Sequence, residues 1–118
     1  MTEIIHRLRN QDEIVGYLRE IHGRSFYSKN GYQWSGVSLK YSATDRFTGY
    51  KDRNDKRIFE RDVISSTDYP SHEYIIHYDD LLTRFLLVSY QNQDILDATL
   101  ESFFEHKSKV RRIGFLRP

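Results

Sequence analysis

RFTGYKDRNDKRIFERDVI, residues 46–64, is the stretch on which the reading of the fold turns. Apolar and aromatic residues stand at its two ends, Phe47 to Tyr50 and Ile58 to Ile64, while turn formers and charges fill its centre. Asn54-Asp55 tolerates the positive φ of a tight turn. The stretch therefore reads as a turn or short hairpin leading into a strand. It carries no nucleophile, no glycine-rich phosphate cradle and no metal-ligand spacing.

On the C-terminal side, residues 66–72 form a break, and then His72 to Tyr78 alternates. Tyr74, Ile76 and Tyr78 fall on one face of a strand, with Ile75 and His77 on the other. Asp79-Asp80 marks a turn. Thr83 to Tyr90 follows as a nearly continuous apolar strand, buried on both faces if central. Beyond Gln91, the spacing of Leu96, Leu100, Phe103 and Phe104 predicts a helix over about residues 94–106. Asp94 would cap it, Asp97 would stand at its third position, and His106-Lys107 would complement the dipole at its end. A last strand is expected over Val110 to Leu116.

On the N-terminal side, Asn30-Gly31 between aromatic runs predicts a hairpin turn, with Arg24 to Ser28 before it and a strand over Tyr32 to Tyr41 after it. Trp34, the only tryptophan, is expected in the core with Val37, Leu39 and Tyr41, whereas an exposed Trp34 would mark a binding surface. Residues 3–21 admit two readings. Asn10 and Glu13 suit a capping box, with Ile14, Tyr17, Leu18 and Ile21 as a helical stripe. The same residues suit a hairpin turning at Asn10 to Asp12. Gly16 disfavours the helix by about 0.8–1 kcal/mol, and Ile, Val and Tyr favour strands.

Composition agrees with a mainly β chain. Its 118 residues suit one domain, and aromatic residues, mostly Tyr and Phe, make up 14% of it, which fits half-buried pleated surface. Only two prolines and six glycines leave no room for a long flexible linker. A formal charge of +1 provides little global steering toward nucleic acid or an anionic membrane. The lack of cysteine excludes disulfides, thiolate zinc sites and cysteine nucleophiles. No opening segment resembles a signal sequence, and the longest apolar runs, such as Phe85 to Val88, are too short to span a bilayer. A cytoplasmic protein without a membrane partner is the expectation.

The central stretch, with Thr48, Gly49, Lys51, Asp52, Asn54, Ile58, Glu60 and Asp62 in order, resembles the signature of the YopX family, small proteins encoded by bacteriophages and prophages. The likeness extends over roughly residues 20–118 and includes Ile113-Gly114 in the last strand. Two positions depart from the pattern: Asp55 and Arg61 each stand where the family has glycine. The family's usual N-terminal opening is also missing. The resemblance implies a small SH3-like β-barrel or twisted antiparallel sheets, with one C-terminal helix, in a phage or prophage accessory protein working inside a bacterial host. It implies no activity.

Candidate chemistry is sparse. The five histidines are scattered, and His72 and His77 with Asp79 or Asp80 lack a recognised zinc spacing. Asp52, Glu60 and Asp62 each have basic neighbours and read as a polar network that shapes turns, in preference to an acid–base or Mg²⁺ cluster. No enzyme, cofactor or metal is expected. Exposed strand edges and aromatic patches point to a non-enzymatic protein that binds a host or phage protein, or a second copy of itself. The alternative is nucleic-acid binding by a basic C-terminal face of Lys107, Lys109, Arg111 and Arg112, beside Arg7 and Arg9 if the terminal strands pair.

Overall fold

The computed structural model describes residues 4–70, 72–96 and 98–115. The chain divides into two units between Phe47 and Thr48.

In the first unit, β1 (Ile4–Asn10) and β2 (Glu13–Ile21) form an antiparallel hairpin, so the strand propensities prevail over the helical stripe. The pairing Leu8↔Gly16 and then Arg9↔Ile14 leaves Val15 as an extra residue in β2, a bulge that re-aims the strand. β3 (Arg24–Ser28) pairs with β2, and the first residues of β4 (Ala43–Lys51) pair with β1. Ile5, Leu8 and Leu18 are buried. Beside them lies a buried ionic group. Arg7 and Arg9, two apart on β1 and so on one face, both reach Asp45 on β4. Asp45 Oδ2 accepts hydrogen bonds from Arg7 Nε at 2.9 Å and from Arg9 Nε at 2.8 Å.

The turn expected at Lys29-Asn30-Gly31 forms, but the strand expected over Tyr32 to Tyr41 does not. Ser28 Oγ accepts from the Gly31 amide, and Asn30 Oδ1 accepts from the amides of Tyr32 and Gln33. After this turn a single bridge, Tyr27↔Ser35, touches β3, and residues 36–41 lack regular structure. Ser35, Gly36 and Ser38 have weak strand propensity, and Leu39 turns inward instead. A Cβ built on Gly16 would lie 2.6 Å from Leu39 Cδ1 and 2.4 Å from the Ser28 carbonyl oxygen, so only glycine permits this approach.

In the second unit, β5 (Arg57–Phe59) neighbours the later part of β4. β6 (Asp62–Ser66), β7 (Tyr74–Asp79), β8 (Arg84–Ser89) and β9 (Val110–Phe115) make a sheet in the order β8-β7-β6-β9. The fold is thus mainly β and antiparallel, as expected. Ile58, Ile64, Tyr74, Ile76, Leu87, Phe103, Phe104 and Val110 form the core of this unit. Each fully buried aliphatic side chain contributes about 1.5–3 kcal/mol relative to exposure. Aromatic rings complete it, with Tyr50 stacked on Phe104 and Tyr69 stacked on Phe103.

Two expectations about this unit change. β8 is an edge strand, so Leu86 and Val88 are only half-buried. Its edge is covered in part by residues 94–96: the Ser89 amide donates to the Asp94 carbonyl, and the Leu96 amide donates to the Leu87 carbonyl. That pairing takes the backbone at Asp94 out of the expected helix. The helix α1 is confined to Leu100–Phe103, and its cap is Thr99, whose hydroxyl accepts from the Ser102 amide. Leu96, Leu100, Phe103 and Phe104 nevertheless pack together on the core, by way of an extended segment and one helical turn. Lys107–Lys109 form a short 3-10 turn. Asp97 and Leu116 lie outside the described residues.

Candidate functional site

The central motif resolves into turn chemistry. Asp52 is fully buried between β4 and β5. Its Oδ1 accepts from the amides of Asn54 (2.9 Å) and Lys56 (3.0 Å), and its Oδ2 accepts from the Arg112 amide (2.9 Å). Asp62 is equally buried, and its Oδ2 accepts from the Phe59 amide at 2.8 Å. Its Oδ1 lies 3.3 Å from Arg112 Nε. Thr48 donates its hydroxyl to the Ile58 carbonyl, Gly49 takes a left-handed backbone (φ 90), and Ile58 sits in the core. Glu60 is half-buried in the turn before β6, whereas Lys51 is exposed. Both carboxylates bind the backbone, so the motif builds a corner of the fold.

The basic residues near the C-terminus are dispersed in their bonding. Lys109 pairs with Asp68 at 3.0 Å on an exposed surface, and Arg112 turns toward Asp62. Arg111 is exposed and lines a small polar recess with Ser65, Pro70, His72, Glu73, Gln91 and Ile113. The Lys107 side chain lies outside the described residues. Among the described residues β9 pairs with β6 and β1 pairs with β2 and β4, so the condition for placing Arg7 and Arg9 beside the C-terminal cations is not met. Arg7 and Arg9 are buried on Asp45 and belong to no exposed basic face. Among the described residues, no three His, Asp or Glu side chains are grouped as a metal ion would require.

An apolar recess lies in the first unit, in the segment that does not become a strand. Tyr27, Trp34, Val37 and Leu39 line a recess of about 340 Å³, rimmed by Lys29, Asn30 and Gln33. Trp34 is half-buried here and not in the core, and the Arg19 guanidinium carbon sits 4.6 Å from the centre of its ring. Val37 is 75% exposed and the neighbouring Tyr32 85% exposed, and Tyr41 is also exposed, which corrects the expected burial of Val37 and Tyr41. The Asn30 and Ser28 side chains accept from the amides of the turn that borders the recess. No acidic residue occurs from Ile21 to Thr44, whereas Arg24, Lys29 and Lys40 do.

That acid-free aromatic run was the available signal, and it was masked by reading the residues as a strand. A second apolar feature also escaped the sequence reading. Leu81 and Leu82, at the tip of the β7–β8 hairpin, are 96% and 53% exposed. An apolar pair inside a tight turn is its signal.

These features define the chain as a mainly β protein whose exposed apolar groups mark its candidate site. Comparison with protein-family models and with curated proteins returned no match. No helix among the described residues is long and apolar enough to cross a membrane.

Proposed function

We propose that this chain is a non-enzymatic accessory protein that acts by binding another protein through the recess around Trp34. The observation that carries the reading is the exposure of Val37 at an apolar recess that it lines with Tyr27, Trp34 and Leu39. Isolated exposed apolar residues are ordinary, but a cluster of them around a concave surface is the usual mark of an interaction site. Aromatic anchors with a basic rim also suit protein interfaces, where Trp, Tyr and Arg carry much of the binding energy.

A phage or prophage origin, with action in the bacterial cytoplasm, rests on the resemblance of Phe47 to Ile64 to the YopX family. Backbone geometry supports that resemblance. Asp55 and Arg61, which replace the family's two glycines, have φ of 65° and 73°, the left-handed region that glycine enters freely. The motif would then be shared for its turns, which accords with a family that has a common corner and no common reaction.

The test is capture from bacterial lysate by the full chain, compared with Val37→Asp and with Arg111→Glu. A protein retained by the wild type and by Arg111→Glu but lost with Val37→Asp supports the reading. Capture that is indifferent to Val37→Asp would overturn the site. The nucleic-acid alternative has less support, because Lys109 and Arg112 already face carboxylates. It requires a gel shift that weakens steeply with salt and disappears on charge reversal of Arg111 and Arg112.

A further inference from the structure

We infer that the recess of one copy takes the Leu81-Leu82 tip of a second copy, so that the chain self-associates head to tail. This rests on the protein-binding reading of the recess and names its occupant.

The tip is built to present its leucines. Asp79 Oδ1 accepts from the amides of Leu81 (2.9 Å) and Leu82 (3.2 Å), and Thr83 adopts a left-handed backbone (φ 51) that closes the turn. Two apolar side chains therefore stand outward on a turn whose backbone these bonds fasten, which lowers the backbone ordering that docking requires. The recess matches them in size. A cavity of about 150 Å³ suffices for a benzene molecule, and the recess holds about 340 Å³ between Trp34, Val37 and Leu39.

Charge selects this occupant. The tip carries Asp79 and Asp80 against one cation, Arg84, whereas the residues lining the recess include Lys29 and no carboxylate, and the Arg19 guanidinium lies over Trp34. Opposite potentials on two apolar patches favour their encounter and set its orientation. The two patches lie on different units of the chain, so the contact is heterologous: each copy offers one tip and one recess, and assembly propagates unless it closes into a ring.

The experiment is sedimentation velocity on the full chain over a wide concentration range, with Trp34 emission as a second readout of recess occupancy. The wild type is expected to grow in size with concentration, with Trp34 emission moving to shorter wavelength and raised salt opposing both. Leu81→Asp/Leu82→Asp and Val37→Asp should each weaken association by about 100-fold, given the transfer free energy of buried leucine. Both changes are at exposed positions, and circular dichroism checks the fold.

Mixing the two variants in equal amounts is the decisive arm. One retains a recess and the other a tip, so the mixture should form heterodimers and stop there. A wild type that stays monomeric, or a mixture that stays monomeric, overturns the proposal. Lysate capture that depends on Val37 would in that case still uphold the protein-binding reading, so the two fail separately.

Discussion

The Asp52 carboxylate accepts the Arg112 backbone amide at 2.9 Å, across 60 positions of sequence. With the other carboxylate oxygen holding the amides of Asn54 and Lys56, one buried side chain closes a turn and fastens β9 beside it. The Arg53 amide, donating to the Val110 carbonyl, reinforces the same junction. The most conspicuous acidic residue of the central motif is therefore committed to architecture.

Asp52→Ala should destabilise the protein by about 2–4 kcal/mol, because three part-buried amides lose their acceptor together. Asp52→Asn keeps one carbonyl oxygen and should lose less. Urea denaturation at constant slope measures both, and equal losses would show that only one oxygen matters.

Asp45→Ala leaves Arg7 and Arg9 buried without their shared carboxylate, and a loss of about 3–5 kcal/mol is expected. Replacing all three residues by apolar side chains of similar volume should recover most of that loss. If the single change costs less than about 1 kcal/mol, the ionic group is not what holds β1 to β4.

Arg61→Gly should stabilise the chain. Relief of left-handed strain at φ 73 returns about 1–2 kcal/mol, and the added freedom of the unfolded chain removes about 0.4–1 kcal/mol. A net gain of about 0.5–1 kcal/mol should raise the thermal midpoint, whereas Asp55→Gly should gain less, since Asp enters this region more readily. A fall with Arg61→Gly would mean that the replaced side chain contributes more than its backbone conformation costs.

Gly16→Ala places a methyl group against the Ser28 carbonyl and Leu39. Overpacking of this kind costs about 1–3 kcal/mol. Since Leu39 lines the same recess as Trp34, the change should also move Trp34 emission, which a purely local strain in β2 would leave unaltered.

Strand alternation at Tyr74 to Tyr78 and the apolar run at Phe85 to Val88 made the β7–β8 hairpin legible, because a two-residue period needs only local information. The turn at Asn30-Gly31 was legible for the same reason. The strand after it was not. An Asn-Gly turn specifies a reversal, but the returning segment becomes a strand only if its backbone finds a partner, and here Tyr27↔Ser35 is the single bridge. The helix expected over residues 94–106 forms, but only at Leu100–Phe103. Leu96 and Leu100 have the spacing of a helix face, yet the open edge of β8 competes for the backbone at Asp94 and Leu96.

The sequence by itself determined a mainly β chain, the places where it turns, and the structural character of the motif from Phe47 to Ile64. Those properties depend on neighbours in sequence: side-chain alternation, turn residues and the balance of adjacent charges. Only the tertiary structure decided that Trp34 lines an open recess, that Arg7 and Arg9 are spent on Asp45, and that Asp52 reaches Arg112. Each depends on which distant backbone or side chain comes within about 3–5 Å, the reach of hydrogen bonds and ring contacts, and that is set by strand pairing and not by local propensity.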